Sequence, residues 1–443
     1  MSPARAAAFA VLRRVFEEGA FADRAFPTEA AGLDARDRSL AMRMAYGTVQ
    51  RRATLDHVAG ALLRPPLTEL EPAVLAALRL GLFQLLFLDA VPDHAAVGES
   101  VELAKPSSPG GARLVNAVLR RAAREGHALV AQLDDDEPET AAVAHSVPGW
   151  LAEMWWRELG AAQARALLRA INDPAESAVR VNSLVASVPE VSGLLPVAHR
   201  PAAGVPEGLV LDGPFDAQGS PLWAAGAIMP QSRASMLVSR MLAPEVGQSV
   251  LDLCAAPGAK TTHLAALMEG AGKVLAVERH PGRAAALQRT CQRMHAECVS
   301  VDVGDAAELL VQRPDAVAAY DRVLVDPPCS GLGTVQSRPD LRWRTGPEAI
   351  AELAGIQARI LAAGAAATRQ GGTLVYSVCT ISEAEGSGVV DEFLGGHPEF
   401  SSDDLGTEHP DRAAPRHPRY LQLLPDRDRT DGFFIARLRR ARP

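Results

Sequence analysis

The sequence predicts a multidomain chain, with an all-α N-terminal domain, a small α+β domain and a C-terminal α/β domain built on a parallel sheet. Three patterns indicate this order. Apolar residues recur at three- and four-residue spacing through the first 125 residues, and short β-like runs alternate with Gly/Pro turns from Val181 to Gly247. After Ser249, apolar strands alternate with helical segments, as in a doubly wound fold. We therefore expect domains at 1–130, 140–245 and 246–443.

The N-terminal domain is predicted to be a series of amphipathic helices. The periodic segments span residues 6–15, 39–49, 54–63, 72–88, 94–104 and 112–123. The longest apolar stretch, Ala73 to Val91, is interrupted by Arg79, Gln84 and Asp89, which predicts a buried helix and not a membrane span. The acidic run from Asp134 to Glu139 is predicted to be a solvated linker, and residues 148–171 a further helix.

Composition and charge narrow the class of protein. With 48% hydrophobic and 22% charged residues among 443, the chain can bury real cores and is not disordered as a whole. A net charge of −8 disfavours a nucleic acid partner. That average hides a mildly basic N-terminal part, with 16 basic and 14 acidic residues up to Glu125. Residues 1–9 lack the apolar core of a signal peptide, so we expect a cytoplasmic protein, monomeric and not bound to a membrane.

The α/β domain carries a candidate cofactor site at the carboxyl ends of its predicted strands, where open α/β sheets bind ligands. The strands are predicted at residues 250–253, 274–277, 298–301, 323–325 and 373–376. The candidate cofactor-binding residues are the turn Cys254, Ala255, Ala256, Pro257, Gly258, Ala259 and Lys260 after the first strand, Glu278 after the second, and Asp305 (or its competitor Asp302) after the third. A small-residue turn with two acids suits a nucleoside cofactor without a diphosphate, although a plain tight turn gives the same pattern.

A carboxylate and two cysteines follow the last two predicted strands. Asp326 is followed by Pro327, Pro328 and Cys329, and Cys379 lies 50 residues beyond Cys329. A thiolate that adds to carbon 6 of a pyrimidine makes carbon 5 nucleophilic, and a carboxylic acid near N3 stabilises the charge that develops. The pattern therefore favours methyl transfer to carbon 5, but it does not say which cysteine attacks. With five cysteines, no CxxC pair and scattered histidines, we expect neither a disulfide framework nor a metal site.

Several motifs, in order, carry a resemblance to a known family. They are Asp252–Gly258 with Lys260–His263, Asp326–Gly331, Arg338–Trp343, Tyr376–Thr380 and Asp431–Phe434, preceded by Pro148–Leu151, Arg180–Asn182 and Gln231. From Pro148 onwards the sequence resembles the Sun/Fmu (RsmB) family of RNA cytosine-5 methyltransferases, in which the upstream motifs lie in a small RNA-contacting domain. The resemblance implies a Rossmann-like class I methyltransferase domain that binds S-adenosyl-L-methionine.

The resemblance also implies roles for individual residues. Residues 254–260 become the cofactor loop, Glu278 the ribose ligand and Asp305 the adenine neighbour. Asp326 lies beside the methyl group and the target base, Cys379 is the nucleophile, and Cys329 assists product release. Ala259, Pro327 and residues 383–386 depart from the usual family pattern, which leaves the contacts of the last segment open.

The N-terminal helices resemble a NusB-type RNA-binding domain. The motifs are Tyr46–Thr48, Leu80–Leu85, His94–Val97 and Val115–Arg121. The candidate phosphate contacts are Arg51, Arg52, Arg113, Arg120, Arg121 and Arg124. A NusB-like domain fused to this methyltransferase implies 16S ribosomal RNA, or an assembling small subunit, as the partner.

Alternatives stay open at this point. The enzyme could act on another RNA, such as tRNA, or methylate a base amino group through the Asp-Pro-Pro motif at Asp326. A non-catalytic ribosome-assembly factor could retain the same fold, and the helical domain could bind protein. Trp343 or Tyr376 could shape a base pocket or could pack in a core.

Overall fold

The computed structural model describes residues 2–442 and forms two compact units. The first comprises residues 2–173 together with Val335–Thr345, and the second comprises Pro174–Thr334 together with residues 346–442. Of the α+β domain predicted at 140–245, residues 140–173 belong to the first unit, and residues 174–245 share the second unit with the α/β part.

The first unit is helical. Its α-helices are α1 (Pro3–Glu17), α2 (Ala22–Glu29), α3 (Ala35–Gln50), α4 (Arg52–Leu62), α5 (Pro72–Phe87), α6 (Asp93–Ala104), α7 (Pro109–Ala131), α8 (Pro138–His145), α9 (Gly149–Leu159) and α10 (Ala161–Ala170). Helix α5 is buried on almost every face, with Leu78, Leu80 and Leu82 fully inaccessible to solvent. This confirms the prediction of a buried helix from its apolar stretch.

The acidic run after α7 is largely exposed, as predicted for a solvated segment, but Asp135 within it is held by charge pairs. The Asp135 carboxylate accepts hydrogen bonds from Nε and Nη2 of Arg169 at 2.8 and 2.9 Å and lies 2.9 Å from Nε2 of His145. The run therefore ties α8 to α10 through charge pairs, which a count of charges along the chain does not reveal. The helix predicted over residues 148–171 is also divided, because Gly160 adopts a φ of +80° between α9 and α10.

The segment Val335–Thr345 packs inside the helical unit through Arg342, which is buried, and Trp343, which is half-buried. Arg342 is fully buried and donates to the carbonyl oxygens of Ser146, Ile171 and Val335 at 3.1–3.3 Å. Burial lowers the pKa of its guanidinium to about 9. The indole nitrogen of Trp343 donates to the carbonyl of Val49 at 2.8 Å. Trp343 therefore takes the core-packing role that the sequence left as an alternative.

The second unit contains two sheets. Its strands are β1 (Ser177–Val181), β2 (His199–Ala202), β3 (Val205–Leu211), β4 (Ile228–Pro230), β5 (Ser249–Leu253), β6 (Lys273–Glu278), β7 (Val299–Val303), β8 (Tyr320–Val325), β9 (Thr368–Val378), β10 (Phe400–Ser402), β11 (Leu421–Leu423) and β12 (Phe433–Arg440). Its α-helices are α11 (Val188–Leu194), α12 (Pro221–Ala224), α13 (Arg233–Leu242), α14 (Ala259–Leu267), α15 (Pro281–Arg293), α16 (Leu309–Gln312), α17 (Pro347–Ala367), α18 (Ser387–Gly396), α19 (Leu405–Glu408) and α20 (Pro425–Asp428).

The larger sheet has the order β10-β12-β9-β8-β5-β6-β7, with β11 paired to β12. Strands β5 to β9 are mutually parallel and correspond to the five predicted strands. Strands β11 and β12 form an antiparallel pair near the end of the chain, with Leu421 opposite Ile435. Because β7, β6, β5, β8 and β9 are neighbours in that order, their carboxyl ends form one continuous edge.

The smaller sheet is antiparallel, in the order β2-β3-β1-β4. Helix α13, which sequence periodicity missed in this turn-rich region, joins it to the larger sheet. Its apolar residues, including Met236 and Leu237, share a core with Val210 of β3 and Leu324 of β8. Helix α17 is long and apolar enough to cross a membrane by length and composition. Its residues Ile360 and Leu361 lie in the core of the larger sheet, which accounts for that apolar character.

Candidate active site

The turn after β5 is shaped by its backbone and by one buried acid. Cys254 and Gly258 have φ angles of +64° and +102°, and Gly258 is the N-cap of α14. A Cβ atom at Gly258 would lie 2.7 Å from Leu287, so only glycine fits this close approach. Asp252 accepts a hydrogen bond from Oγ1 of Thr261 at 2.6 Å, and burial raises the pKa of Asp252 to about 7. These contacts hold residues 254–260 against the start of α14.

The predicted ribose and adenine ligands follow the two strands beside β5. Glu278 ends β6, is 2% exposed, and accepts a hydrogen bond from the backbone N–H of His280 at 2.9 Å. Asp305 follows β7 and accepts from the N–H of Ala307 at 3.0 Å. Its competitor Asp302 lies within β7 and is paired with Arg313. The turn, Glu278 and Asp305 therefore share one edge of the sheet, and Asp305 also forms an ion pair with Arg279 at 3.6 Å.

Asp326 forms an ion pair that sequence reasoning missed. Its Oδ2 lies 2.7 Å from Nζ of Lys260, and its Oδ1 accepts a hydrogen bond from Oγ of Ser377 at 2.8 Å. The ammonium is also 5.2 Å from the centre of the Phe433 ring. Burial disfavours the charged lysine, but Asp326 outweighs that effect and the pKa of Lys260 is raised. The sequence did offer one indication that Lys260 has a special role, because the chain contains only three lysines.

The two cysteines at the ends of β8 and β9 lie side by side. The Sγ atoms of Cys329 and Cys379 are 3.3 Å apart, and both thiols are free. The hydrogen bond with Cys379, together with burial, raises the pKa of Cys329 well above its usual value. Cys329 is therefore a protonated thiol at neutral pH. Cys291 and Cys298 pack in an apolar cluster away from this pair, as expected for ordinary core residues.

A buried carboxylate joins the residue after each cysteine. Oε1 of Glu385 accepts from the backbone N–H of Ser330 at 2.8 Å, and Oε2 accepts from Oγ of Ser330 at 2.5 Å. The same Oε2 lies 3.3 Å from the hydroxyl of Thr380, which itself is 2.8 Å from Oγ of Ser330. Tyr376 is fully buried and donates its hydroxyl proton to the carbonyl of Glu385 at 2.6 Å, so it packs in the core.

The Asp-Gly-Phe-Phe motif supports the cysteine loop through two glycines. Gly333 donates to the carbonyl of Cys379 at 3.0 Å, and Gly432 donates to the carbonyl of Gly333 at 2.8 Å. A Cβ atom at Gly333 would lie 1.9 Å from the carbonyl oxygen of Gly432. Next to this contact, burial raises the pKa of Asp431 to about 6, although Ser232 hydrogen-bonds to its carboxylate.

The Arg180–Asn182 motif links the small sheet to the cofactor turn. Arg180 is fully buried and donates to Oε1 of Gln231 and to Oγ1 of Thr262, both at 2.9 Å. The side-chain amide of Asn182 donates to the carbonyl of Met294 at 2.8 Å. Arg180 therefore positions α14, Asn182 contacts the end of α15, and both side chains are fully buried.

The candidate phosphate contacts of the helical unit fall into two groups. Arg51 is stacked on Phe87 at 4.9 Å and Arg52 on Trp343 at 5.3 Å, and burial lowers the pKa of both guanidinium groups. The exposed members all lie on α7 and are Arg113, Arg120, Arg121 and Arg124. Three of these, at positions 113, 120 and 124, recur at helical spacing along one face. This face of α7 is better suited to contact phosphates than Arg51 and Arg52.

Comparison with protein families defines the class. Residues 239–439 match the model described as 16S rRNA methyltransferase RsmB/F, residues 2–124 match the NusB family, and residues 147–218 match an RsmF/B-like ferredoxin-like domain. These matches confirm the predicted order of a NusB-like domain, a small α+β domain and a methyltransferase domain. The chain is thus an rRNA methyltransferase with an N-terminal NusB domain.

Individual relatives identify the family within that class. The chain is 35% identical to a probable ribosomal RNA small subunit methyltransferase B of Synechocystis over 100% of both chains. It is 36% identical to ribosomal RNA small subunit methyltransferase B of Thermus thermophilus, over 91% of this chain and 89% of that one. A crystal structure titled PH0851 superposes with a TM-score of 0.83 at 28% identity, covering 99% of each chain. The protein belongs to the ribosomal RNA small subunit methyltransferase B family.

Proposed function

We propose that this rRNA methyltransferase transfers a methyl group from S-adenosyl-L-methionine to carbon 5 of a cytosine in 16S rRNA, in the cytoplasm, through a covalent bond between Cys379 and carbon 6. The observation that carries the proposal is the pair of thiols 3.3 Å apart, at adjacent strand ends. Asp326 and Lys260 lie at the same edge of the sheet.

The residues along the strand ends fit the cofactor. S-adenosyl-L-methionine supplies a methyl group bound to a positively charged sulfur. The Glu278 carboxylate can accept hydrogen bonds from two ribose hydroxyls, and Asp305 can accept from the adenine amino group. Residues 254–260 bring the backbone close to the cofactor at the start of α14.

The protein groups divide the covalent chemistry among them. The sulfur of Cys379 bonds to carbon 6, and the electron pair of the 5,6 double bond moves into the ring towards N3. The thiol proton of Cys379 passes through the Asp326 carboxylate to N3. The Lys260–Asp326 pair, at 2.7 Å, offers protons and charge to stabilise the electron-rich ring. Carbon 5 then uses its electron pair to bond the methyl carbon, and the electrons of the broken bond stay on the donor sulfur.

Release restores the aromatic ring and the free enzyme. Water takes the proton from carbon 5, N3 gives up its own proton, and the 5,6 double bond re-forms. The bond between carbon 6 and the sulfur of Cys379 breaks at the same time, with its electrons returning to that sulfur. Cys329, as a protonated thiol 3.3 Å away, can deliver a proton to the departing thiolate. In this scheme one cysteine attacks and the other assists its release.

A trapping experiment with RNA that contains 5-fluorocytosine tests the proposal. Fluorine at carbon 5 cannot leave as a proton does, so the covalent adduct accumulates and is resolved by denaturing electrophoresis. We expect an adduct in the wild type and in Cys329→Ala, none in Cys379→Ala, and an unchanged amount in the matched control Cys291→Ala. A wild type that methylates normal RNA without any adduct would instead support amino-group methylation. An adduct retained in Cys379→Ala would assign the attack to Cys329.

The RNA partner is supported by the exposed arginines of α7. Replacing Arg120 and Arg124 with glutamine should weaken RNA binding and make its salt dependence shallower by about two phosphate contacts. The matched control replaces Lys105, which is exposed just after α6 and paired with Glu102. Mapping 5-methylcytosine in rRNA from cells with and without the gene then identifies the target. Absence of methyl transfer to under-modified rRNA by the pure protein would favour a non-catalytic assembly factor.

A further inference from the structure

Glu385 occupies an unusual position for a carboxylate. It is fully buried, and its two oxygens accept hydrogen bonds from four groups on three segments of the chain. Ser330 contributes its N–H and hydroxyl, and Thr380 its hydroxyl, while Nε2 of Gln357 donates to Oε1 at 3.0 Å. Burying a charged carboxylate is costly unless it is well hydrogen-bonded, so each of these donors matters for its stability.

The donors identify what Glu385 holds in place. Ser330 is the residue after Cys329, and Thr380 is the residue after Cys379. One rigid carboxylate therefore bridges the two loops that carry the sulfur atoms. The hydroxyl oxygens of Ser330 and Thr380 also lie 2.8 Å from each other, beside the same carboxylate oxygen. Glu385 thus connects the two loops whose sulfurs lie 3.3 Å apart, and it touches neither sulfur.

The charge of Glu385 also affects the pair of thiols. Its negative charge adds to the effects of Cys379 and of burial in raising the pKa of Cys329. A charged group at this position disfavours a second thiolate beside Cys379, which suits a role for Cys329 as proton donor.

We propose that Glu385 is a positioning residue for the covalent step, holding the loop of Cys329 against the loop of Cys379 so that both sulfurs reach the target base together. The catalytic part of this inference rests on the proposed function. The geometric part, that Glu385 sets the distance between the sulfurs, is independent of any reaction with RNA.

Glutamine is the informative substitution. Its side chain has nearly the shape of glutamate, but one oxygen becomes an NH₂ group and the charge is lost. An NH₂ group at the Oε1 position would face the N–H groups of Ser330 and Gln357, which are both donors, whereas at the Oε2 position it would turn the hydroxyls of Ser330 and Thr380 from donors into acceptors. Either orientation removes the charge-assisted hydrogen bonds that tie the two loops together, so we expect the loops to separate more readily. The matched control is Glu383→Gln, since Glu383 lies in the same turn, is 34% exposed, and pairs with Arg416 outside the network.

The first measurement is the rate of disulfide formation between Cys329 and Cys379 with diamide. In this reaction two thiols lose two hydrogens to the diazene, which becomes a hydrazine, and the intact protein loses the mass of two hydrogens. Because the sulfurs need to close only from 3.3 Å to a bond of about 2 Å, we expect rapid oxidation in the wild type and in Glu383→Gln. In Glu385→Gln we expect a rate at least about tenfold lower.

The second measurement separates catalysis from binding. We expect Glu385→Gln to lower kcat and the rate of adduct formation with 5-fluorocytosine RNA by about ten- to a hundredfold, with KM for RNA and for S-adenosyl-L-methionine within about threefold of wild type. If Glu385→Gln does not fold, Ser330→Ala removes one donor and should show the same pattern at smaller amplitude.

The outcomes distinguish the two proposals. Unchanged diamide oxidation in folded Glu385→Gln and Ser330→Ala would overturn the positioning role of Glu385, and so would equal losses in kcat and in binding. Slowed oxidation, in an enzyme whose wild type forms no adduct, would leave the geometric role in place and refute the covalent mechanism.

Discussion

The ion pair between Lys260 and Asp326 gives the sharpest energetic prediction. At 2.7 Å and an effective dielectric constant of about 20, the Coulomb attraction between unit charges is about 6 kcal/mol. Desolvation offsets part of this, because the side chains are 14% and 25% exposed. Breaking such a pair by removing one partner typically costs about 3 kcal/mol. We therefore expect Asp326→Asn and Lys260→Met each to destabilise the second unit by about 3 kcal/mol.

A double-mutant cycle isolates the interaction. If the pair is coupled as the distance indicates, the double variant should be about 2–3 kcal/mol more stable than the sum of the single effects. Urea-dependent hydrogen exchange of peptides from β5 and β8, followed by mass spectrometry, reports on this unit alone. The matched control is the exposed pair of Arg200 and Asp212, where a coupling of about 0.2–1 kcal/mol is expected.

The pH dependence of the coupling free energy follows from the direction in which the pKa of Lys260 is shifted. The folded-state pKa of Lys260 is raised above its ordinary value of 10.5, so its contribution is fully present below pH 10.5 and is lost as the pH rises through the folded-state pKa. The coupling should therefore be constant between pH 7 and 9. A coupling no larger than that of the exposed pair, or one that vanishes near pH 8, would refute the assignment of a buried ion pair.

Three further predictions address other parts of the molecule. Gly333→Ala places a Cβ atom 1.9 Å from the carbonyl oxygen of the facing glycine, so we expect kcat to fall at least about tenfold, whereas Gly355→Ala, in open space on α17, should leave kcat unchanged. Arg342→Met leaves the carbonyl oxygens of Ser146 and Val335 without their donor, removes one of two donors to that of Ile171, and should destabilise the helical unit by about 2–4 kcal/mol, read from the urea midpoint of tryptophan fluorescence. Because the folded-state pKa of Asp431 is raised from 3.8 to about 6, its contribution to stability is fully present below pH 3.8 and is lost as the pH rises through 6. The Tm of Asp431→Asn should therefore rise relative to that of the wild type between pH 4.5 and 7. A Tm difference that stays constant over this range would contradict the raised pKa of Asp431.

Helices and strands with a regular apolar pattern could be predicted from the sequence. Features that depend on contacts between residues far apart in the chain could not. The apolar faces of α5 and of strands β5 to β9 follow from local spacing, because each buries one continuous surface. Helix α13 was missed because the glycines and prolines around it mask its apolar face. Local periodicity also gave no sign of the charge pairs of Asp135, because its partners His145 and Arg169 lie on α8 and α10.

The candidate site shows this division at the level of single residues. Asp326, Cys329 and Cys379 could be singled out because each follows a recognisable strand, and parallel strands end at one edge. Which cysteine attacks could not be derived from spacing, since both occupy equivalent positions. Glu385 escaped notice because its function depends on donors 55 and 28 residues away in sequence, which no local pattern encodes.

The short segment Val335–Thr345 has a consequence for the order of events during synthesis. It belongs to the helical unit, although the stretches of chain on either side of it belong to the other unit. The acceptors that Arg342 satisfies at Ser146 and Ile171 are made early, but their donor emerges from the ribosome about 170–200 residues later. The helical unit therefore cannot complete its core until most of the chain has been translated, and a fragment ending near residue 173 lacks part of its own interior.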